Sequence, residues 1–183
     1  MPNLEFVHLR VHSDFSMCDG LNKVKPILAK AKDLNMPAIA ITDQMNMCGL
    51  VKYYGTAHGM GIKPIIGVDF WVQNPALPDE NISRLTLLAQ NNDGYKNITL
   101  LISRAYQRGY VADRAVIDVD WLAELNAGVI VLSGAKDGDL GLTLRKGNMA
   151  QAETITQFYQ THFPDRYYCL LYTSDAADDV EGV

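Results

Sequence analysis

Histidine and arginine alternate near the start of the chain, in the segment His8-Leu9-Arg10-Val11-His12. Alternate residues of an extended strand point to the same face, so His8, Arg10 and His12 are expected to lie side by side. Three imidazoles in this arrangement would indicate a metal site, because neutral histidine is a common ligand of zinc and iron. An arginine stays protonated and has no lone pair to give to a metal. The segment therefore has the outline of a metal site with a fixed positive charge inside it.

Further candidate ligands follow the predicted strands. Asp19 comes soon after the first strand, Asp43 and Gln44 come at the end of the second, and Asp69 lies in the third. In parallel α/β folds and barrels, functional sites form at the C-terminal ends of the strands. Each residue alone also has a simpler interpretation, since Asp43 can cap a turn and Asp19-Gly20 can be a turn. Their recurrence at successive strand ends favours one shared pocket.

The hydrophobic pattern predicts the elements that must position these residues. Short apolar runs rich in β-branched residues indicate strands, and apolar residues at helical spacing indicate amphipathic helices. The predicted strands span residues 4–12, 37–43, 64–72, 84–89 and 128–133. The predicted helices span residues 22–35, 48–58, 95–108, 121–125, 140–145 and 150–163. The alternation of the two predicts an α/β fold with a mainly parallel sheet.

The composition limits the classes of protein to consider. The chain has 183 residues, 48% of them hydrophobic, and a net charge of −5, so it suits one globular domain or part of a larger one. It contains neither a long uncharged apolar run nor the basic and apolar regions of a signal peptide, so we expect no membrane association and a cytoplasmic protein. The sequence has no stripe rich in lysine or arginine, so it gives no indication that this segment binds nucleic acid. The three cysteines (Cys18, Cys48 and Cys169) are odd in number and widely spaced, which argues against a disulfide framework.

Longer stretches of the chain resemble a known family. Residues 8–20, 38–49 (AIAITDQMNMCG), 63–70 (KPIIGVDF) and 85–100 (LTLLAQNNDGYKNITL) are similar to the N-terminal PHP domain (polymerase and histidinol phosphatase) of bacterial DNA polymerase III alpha subunits. Residues 104–109 and 129–134 continue the match, which runs in consistent order from about Phe6 to Tyr168. Such a match is more specific than any single motif. The resemblance implies an α/β fold that forms the N-terminal part of a distorted (βα)7-type PHP barrel, incomplete in this chain.

The resemblance also implies which residues stand where active PHP domains bind a cluster of metal ions. Four of these positions keep a residue that can bind a metal, namely His12, Asp19, Asp43 and Asp69. Four others have lost a histidine or a cysteine and hold Arg10, Gln44, Arg84 and Ala135. The remaining ligands of the family, including an Asp-x-His near the end of the domain, would lie beyond this chain.

Charge then argues against a working metal site. A metal cluster activates water and neutralises phosphate charge, but Arg10 and Arg84 would place guanidinium groups where the metal ions sit. Gln44 offers a weak neutral oxygen, and Ala135 offers none. We therefore expect no bound metal and no catalytic residue in this segment. Instead we expect a salt-bridge network in which the two arginines pair with acidic residues among Asp19, Asp43 and Asp69.

By resemblance, the parent protein is a DNA-directed DNA polymerase of DNA replication, which uses magnesium held in a palm domain absent from this chain. This segment is then expected to bind no cofactor and to act as a structural and partner-binding domain. Its expected partners are the rest of the alpha subunit and the proofreading exonuclease subunit, with DNA bound through the absent domains. Two alternatives stay open: an active PHP-type metal-dependent phosphoesterase or 3'-5' exonuclease, and a non-functional gene fragment.

The resemblance stops at Tyr168, which predicts two parts, a PHP portion over residues 1–168 and a tail over residues 169–183. The tail begins CLLYTSDAAD, a string that resembles the translation of a sequencing adapter. We therefore expect it to be an artefact or disordered. The alternative is a genuine acidic terminus that has diverged from the family.

Overall fold

The computed structural model describes residues 6–75, 77, 82–111 and 113–170. The helices are α1 (Val24–Asp33), α2 (Leu50–Met60), α3 (Asn92–Arg108), α4 (Val119–Glu124), α5 (Asp139–Arg145) and α6 (Met149–His162), with a short 3-10 helix at Ala135–Asp137. The strands are β1 (Ala38–Ile41), β2 (Lys63–Gln73), β3 (Ile82–Ala89), β4 (Tyr110–Val111), β5 (Arg114–Ala115), β6 (Ile117–Asp118), β7 (Val129–Ser133) and β8 (Tyr167–Tyr168). Within the described residues, no helix has the length and apolar character needed to cross a membrane.

The predicted helices and all but the first predicted strand are present, with bounds shifted by at most three residues. The first strand is wrong over its described part, because residues 6–12 are not a regular strand. This segment runs beside β1 through two backbone bonds of 2.8 Å, from Ala40 N–H to the His8 carbonyl and from Thr42 N–H to the Val11 carbonyl. The Val11 N–H donates instead to the Thr42 hydroxyl at 3.0 Å. A side chain thus takes a backbone partner and interrupts the ladder.

The main sheet has the order β1-β2-β3-β7-β8, with β6 beside the end of β2. Strands β1, β6 and β8 run parallel to their neighbours, whereas β3 is antiparallel to both β2 and β7. The prediction of a mainly parallel sheet therefore misses the direction of β3. The connection from Gln73 to Ile82 is too short for the crossover that a parallel pair requires. As a consequence, the start of β3 lies beside the end of β2, with Arg84 directly opposite Trp71.

Strand alternation divides the sheet into a core face and a site face. Val68, Phe70 and Val72 of β2 are fully buried in the largest apolar cluster, which also contains core residues of α3, α4 and α6. The residues between them, Asp69 and Trp71, therefore project from the opposite face. A second cluster joins α1, α2 and β1 and fixes the edge of the sheet along which residues 6–12 run.

The described structure extends past the predicted boundary at Cys169. Leu170 is buried in a small cluster with Ala40, Leu88 and Leu132, and its N–H donates to the Ser133 hydroxyl at 3.1 Å. Regular packing therefore continues for at least two residues after Tyr168. The assignment of the rest of the tail, residues 171–183, lies outside the described residues and stays a prediction.

Candidate functional site: an ion-paired carboxylate pocket

Asp69 is the centre of the candidate site and is 1% exposed. It lies within β2, opposite Thr86 of β3, and the Thr86 hydroxyl donates to its Oδ1. Its Oδ2 lies 2.5 Å from Arg10 Nε and 2.7 Å from His12 Nε2. The predicted pairing of Arg10 with one of the three aspartates is thus present in the structure, and its partner is Asp69. Charge-assisted bonds of this kind are shorter and stronger than neutral ones.

His12 has a carboxylate at each ring nitrogen. Its Nδ1 lies 2.9 Å from Asp19 Oδ2, and its Nε2 is occupied by Asp69. Burial alone would lower the pKa of His12, but the hydrogen bond and charge of Asp69, with a contribution from Asp19, raise it overall against the repulsion from Arg10. The geometry therefore favours an imidazolium that donates from both nitrogens. A histidine that binds a metal must instead present one bare nitrogen.

A tight loop carries Asp19 back to His12. The Ser16 N–H donates to the Ser13 carbonyl at 2.9 Å, and the Ser16 hydroxyl donates to Asp19 Oδ1 at 2.6 Å. Gly20 closes the loop, because a Cβ there would stand 1.7 Å from the Ser13 carbonyl oxygen. Burial tends to raise the pKa of Asp19, but the Ser16 hydrogen bond and the charges of His12 and Arg84 lower it overall.

Asp43 stands apart from the arginines. Its two carboxylate oxygens accept from the Ser13 N–H at 2.6 Å and from the Ser13 hydroxyl at 2.8 Å. Burial raises the pKa of this carboxyl, although the bonds from Ser13 oppose the shift. Asp43 therefore anchors the loop that carries Asp19, and within the described part of the chain it has no salt bridge to an arginine.

Gln44 joins the loop to β2. Its backbone N–H donates to the Ser16 hydroxyl at 3.1 Å, and its side-chain amide donates to the Asp69 carbonyl at 3.1 Å. Its Oε1 is buried and has no hydrogen-bond partner among the described residues. Gln44 thus acts as a structural link, with one unused acceptor.

Among the described residues, Arg84 does not form the predicted salt bridge to Asp19, Asp43 or Asp69. Its guanidinium carbon lies 4.3 Å from the centre of the Trp71 ring, and its charge reaches Asp19 only through space. Ala135 starts the 3-10 helix after β7 with a positive φ of 46°. It follows Gly134, where a Cβ would stand 2.0 Å from the Arg84 carbonyl oxygen. Arg84 and Ala135 are therefore neighbours at the edge of the pocket.

The structure thus brings Arg10, His12, Asp19, Asp69 and Gln44 into one connected group and leaves Asp43, Arg84 and Ala135 around it. Sequence reasoning missed Thr86, Ser13, Ser16 and Trp71. Thr86 could have been found from the sequence, because it lies two residues from Arg84 and so on the same face of the same strand. Across the described ranges, no group of three or more histidine, cysteine, aspartate or glutamate side chains is arranged to hold a metal ion.

Comparison with known sequences gives the class of the protein. The profile of the PHP domain family matches residues 8–173. The chain therefore belongs to the PHP domain family, as its motifs predicted. Over 179 residues it is 56% identical to the DNA polymerase III subunit alpha of Escherichia coli (strain K12), an alignment that covers 98% of this chain and 15% of that protein. It is 55% identical to the DNA polymerase III subunit alpha of Vibrio cholerae, with the same coverage.

The chain spans only 15% of the length of these curated relatives. Among solved structures, an amidohydrolase from Chromobacterium violaceum with bound sulfate and no metal superposes with a TM-score of 0.50 at 12% identity. That superposition covers 88% of this chain and 84% of that one. At such low identity it bears on the fold alone, and it agrees with the predicted α/β fold of the PHP type.

Proposed function

We propose that the chain is the PHP portion of a DNA polymerase III alpha subunit and that its pocket is a structural scaffold rather than a hydrolytic site. The identity of 56% over nearly the whole chain supports the first part. The whole protein would then synthesise DNA on a DNA template in the bacterial cytoplasm. Magnesium would serve a palm domain that lies outside this chain.

The donor set of the pocket does not fit the metal cluster of active PHP domains. Arg10 occupies a family ligand position and donates to Asp69, the carboxylate that a metal would need. His12 has a carboxylate at each nitrogen. Arg84 and Ala135 have no electron pair to offer, so the oxygen of Gln44 would be the sole donor among the four altered positions. The single observation that carries the proposal is the Arg10–Asp69 pair, which supplies the positive charge a metal would otherwise bring.

The scaffold role follows from what the ion pairs connect. Asp69 connects the N-terminal segment through Arg10 and His12, β3 through Thr86, and the loop after β1 through Gln44. Such a site fixes strand ends relative to one another, so the surfaces around it keep one shape. We therefore assign this domain to holding partners, namely the rest of the alpha subunit and the proofreading exonuclease subunit.

Metal analysis of the purified chain tests the scaffold assignment. The sample is dialysed against zinc, manganese and iron in turn, and assayed for hydrolysis of p-nitrophenyl phosphate and of a single-stranded oligonucleotide. We expect metal well below one ion per chain and no activity that a chelator removes. Stoichiometric metal with chelator-sensitive hydrolysis would establish the second candidate function, an active phosphoesterase or exonuclease. The ligand types retained at His12, Asp19 and Asp69, which meet at His12, are what favours that candidate.

A triple variant sharpens the same test. Restoring histidine at three altered positions (Arg10→His, Gln44→His and Arg84→His) removes both guanidinium groups and adds three ligands. We expect metal uptake to rise in this variant and to stay at background in the matched control Arg145→His, which adds one imidazole at an exposed site. Equal uptake by wild type and triple variant would contradict the charge argument.

A further inference from the structure

A tryptophan with two arginines lies at the edge of the pocket. The guanidinium carbon of Arg84 is 4.3 Å from the centre of the Trp71 ring, and that of Arg114 is 4.7 Å from the same point. The two guanidinium carbons are therefore at most about 9 Å apart, whichever faces of the ring they occupy. Two like charges held this close repel each other unless an anion lies between them.

The fold places these three side chains from separate elements. Trp71 and Arg84 are direct cross-strand neighbours on the site face of β2 and β3. Arg114 comes from the β4–β5 hairpin, which leads through Val116 into β6 beside the end of β2. The aromatic ring thus serves as a platform that holds both guanidinium groups.

Neither arginine has a carboxylate partner in the described part of the chain. The ion pairs within 4.0 Å there include Arg10 and Arg104 but not Arg84 or Arg114. Arg84 is partly exposed and Arg114 is exposed, so a ligand can reach both. This local excess of positive charge occurs in a chain whose net charge is −5.

The surroundings favour a short acidic peptide over a nucleic acid. Asp113 directly precedes Arg114, and Asp118 pairs in register with Gln73, two residues from Trp71 on the same strand. The cationic patch is therefore limited to the two arginines, whereas a continuous phosphate backbone needs a longer row of cations. The face of the Trp71 ring that would stack on a base is engaged by guanidinium groups.

We propose that Arg84 and Arg114 on Trp71 form a docking point for an extended, acidic segment of a protein partner. Side chains at positions i and i+2 of an extended chain point the same way and lie roughly 7 Å apart, a spacing that two guanidinium groups at most about 9 Å apart can match. Each guanidinium can then take one carboxylate with two parallel hydrogen bonds. This inference rests on the proposed partner-binding role and names the chemistry of the partner.

Binding of a synthetic peptide to the full chain tests the docking point. The probe is a fluorescein-labelled, C-terminally amidated Thr-Glu-Val-Glu-Thr peptide, followed by fluorescence anisotropy at low ionic strength, with the Gln-for-Glu peptide as its control. We expect Arg84→Gln/Arg114→Gln to weaken binding at least about tenfold, and the exposed control Arg145→Gln to change it less than about twofold. The Gln-for-Glu peptide should not bind measurably.

Several results would overturn the assignment. Equal binding of the two peptides, or no change in the double variant, removes the docking point. A single-stranded oligonucleotide or inorganic phosphate that binds more tightly, and is lost in the same variants, replaces the peptide with a phosphate ligand. If the double variant fails to fold, the single variant Arg114→Gln, on the exposed hairpin, is used in the same binding assay and should also weaken peptide binding.

Co-purification separates this inference from the proposed function. If the proofreading exonuclease subunit co-purifies with the chain while the acidic peptide does not bind, the docking point is wrong and the partner-binding role stands. If the peptide binds at Arg84 and Arg114 while the exonuclease subunit does not co-purify, the docking point stands and that partner assignment falls.

Discussion

Two buried carboxylates in this molecule are stabilised in different ways. Asp69 is 1% exposed and is contacted by Arg10, which is permanently charged, and by His12, whose pKa is raised. Asp139 is 0% exposed at the start of α5, and its donors among the described residues are all neutral: the Asn74 amide at 2.9 Å, the Tyr159 hydroxyl at 2.7 Å and the Leu140 N–H at 2.8 Å.

The difference shows what the arginine at position 10 contributes. Burial dominates at Asp139 and raises its pKa, although the hydrogen bonds from Tyr159, Asn74 and the backbone oppose the shift. Neutral donors therefore compensate a buried carboxylate only in part. At Asp69 one of the donors, Arg10, carries a permanent positive charge. Removing a partner should thus cost more at Asp69 than at Asp139.

The largest effect is expected for Asp69→Asn. This change removes the carboxylate that Arg10 and His12 share, and we expect the free energy of unfolding to fall by about 3 kcal/mol, because losing one member of a buried ion pair is strongly destabilising. Asp139→Asn is the matched change without cationic partners, and we expect a loss of about 1 kcal/mol. Urea denaturation of both variants makes the comparison. Equal losses would mean that the charge of the partners is unimportant.

The pH dependence of stability should separate the two sites. The pKa of His12 is raised on folding, so its contribution is complete below the unfolded value of about 6.5 and disappears as pH rises through the folded value. His12→Gln should reduce the change of the urea midpoint with pH that begins near pH 6.5. The pKa of Asp139 is also raised, so its loss of stability with rising pH begins near the unfolded value of about 4. Asp139→Asn should reduce the pH dependence of the urea midpoint from about pH 4 upward, whereas His12→Gln should leave it unchanged between about pH 4 and 6; a change in that range for His12→Gln would contradict the assignment.

A smaller effect is expected for Tyr159→Phe. The change removes one donor to Asp139, so we expect a loss of about 1 kcal/mol and a further rise in the pKa of Asp139. Tyr167 provides a matched control, because its ring stacks on Tyr159 at 4.3 Å and its buried hydroxyl has no hydrogen-bond partner in the described structure. Thermal unfolding of Tyr167→Phe should show no loss of stability. A loss as large as that of Tyr159→Phe would show that the hydroxyl bond to Asp139 is not the cause.

The smallest effect is expected for Gln44→Leu. The variant loses one hydrogen bond to the Asp69 carbonyl but no longer buries the unpaired Oε1, so the two changes should cancel within about 0.5 kcal/mol. Gln44→Ala, which leaves a cavity as well, should lose about 1 kcal/mol more. If Gln44→Leu is as destabilising as Asp69→Asn, then Gln44 belongs to the charged centre rather than to its edge.

The elements of this fold were largely predictable because apolar periodicity reports burial, and burial follows strand and helix geometry. The direction of β3 was not, because hydrophobic periodicity does not show whether two neighbouring strands run parallel or antiparallel. Within the site, His12, Asp19 and Asp69 were found because imidazole and carboxylate pairs suggest one pocket. The contact of Arg84 with Trp71 was missed. It depends on which residues of β2 and β3 stand opposite each other, and local sequence does not contain this register.

The reversal of β3 has a consequence for how the pocket assembles during folding. Within the main sheet, the pairing of β2 with β3 closes the shortest loop between described strands, from Gln73 to Ile82. Short loops close at the lowest entropic cost, so this hairpin is expected to form first. Asp69 and Thr86 would meet at that stage, before the N-terminal segment arrives. Arg10 and His12 would then bind Asp69 late in folding and fix the N-terminal segment onto the hairpin that has already formed.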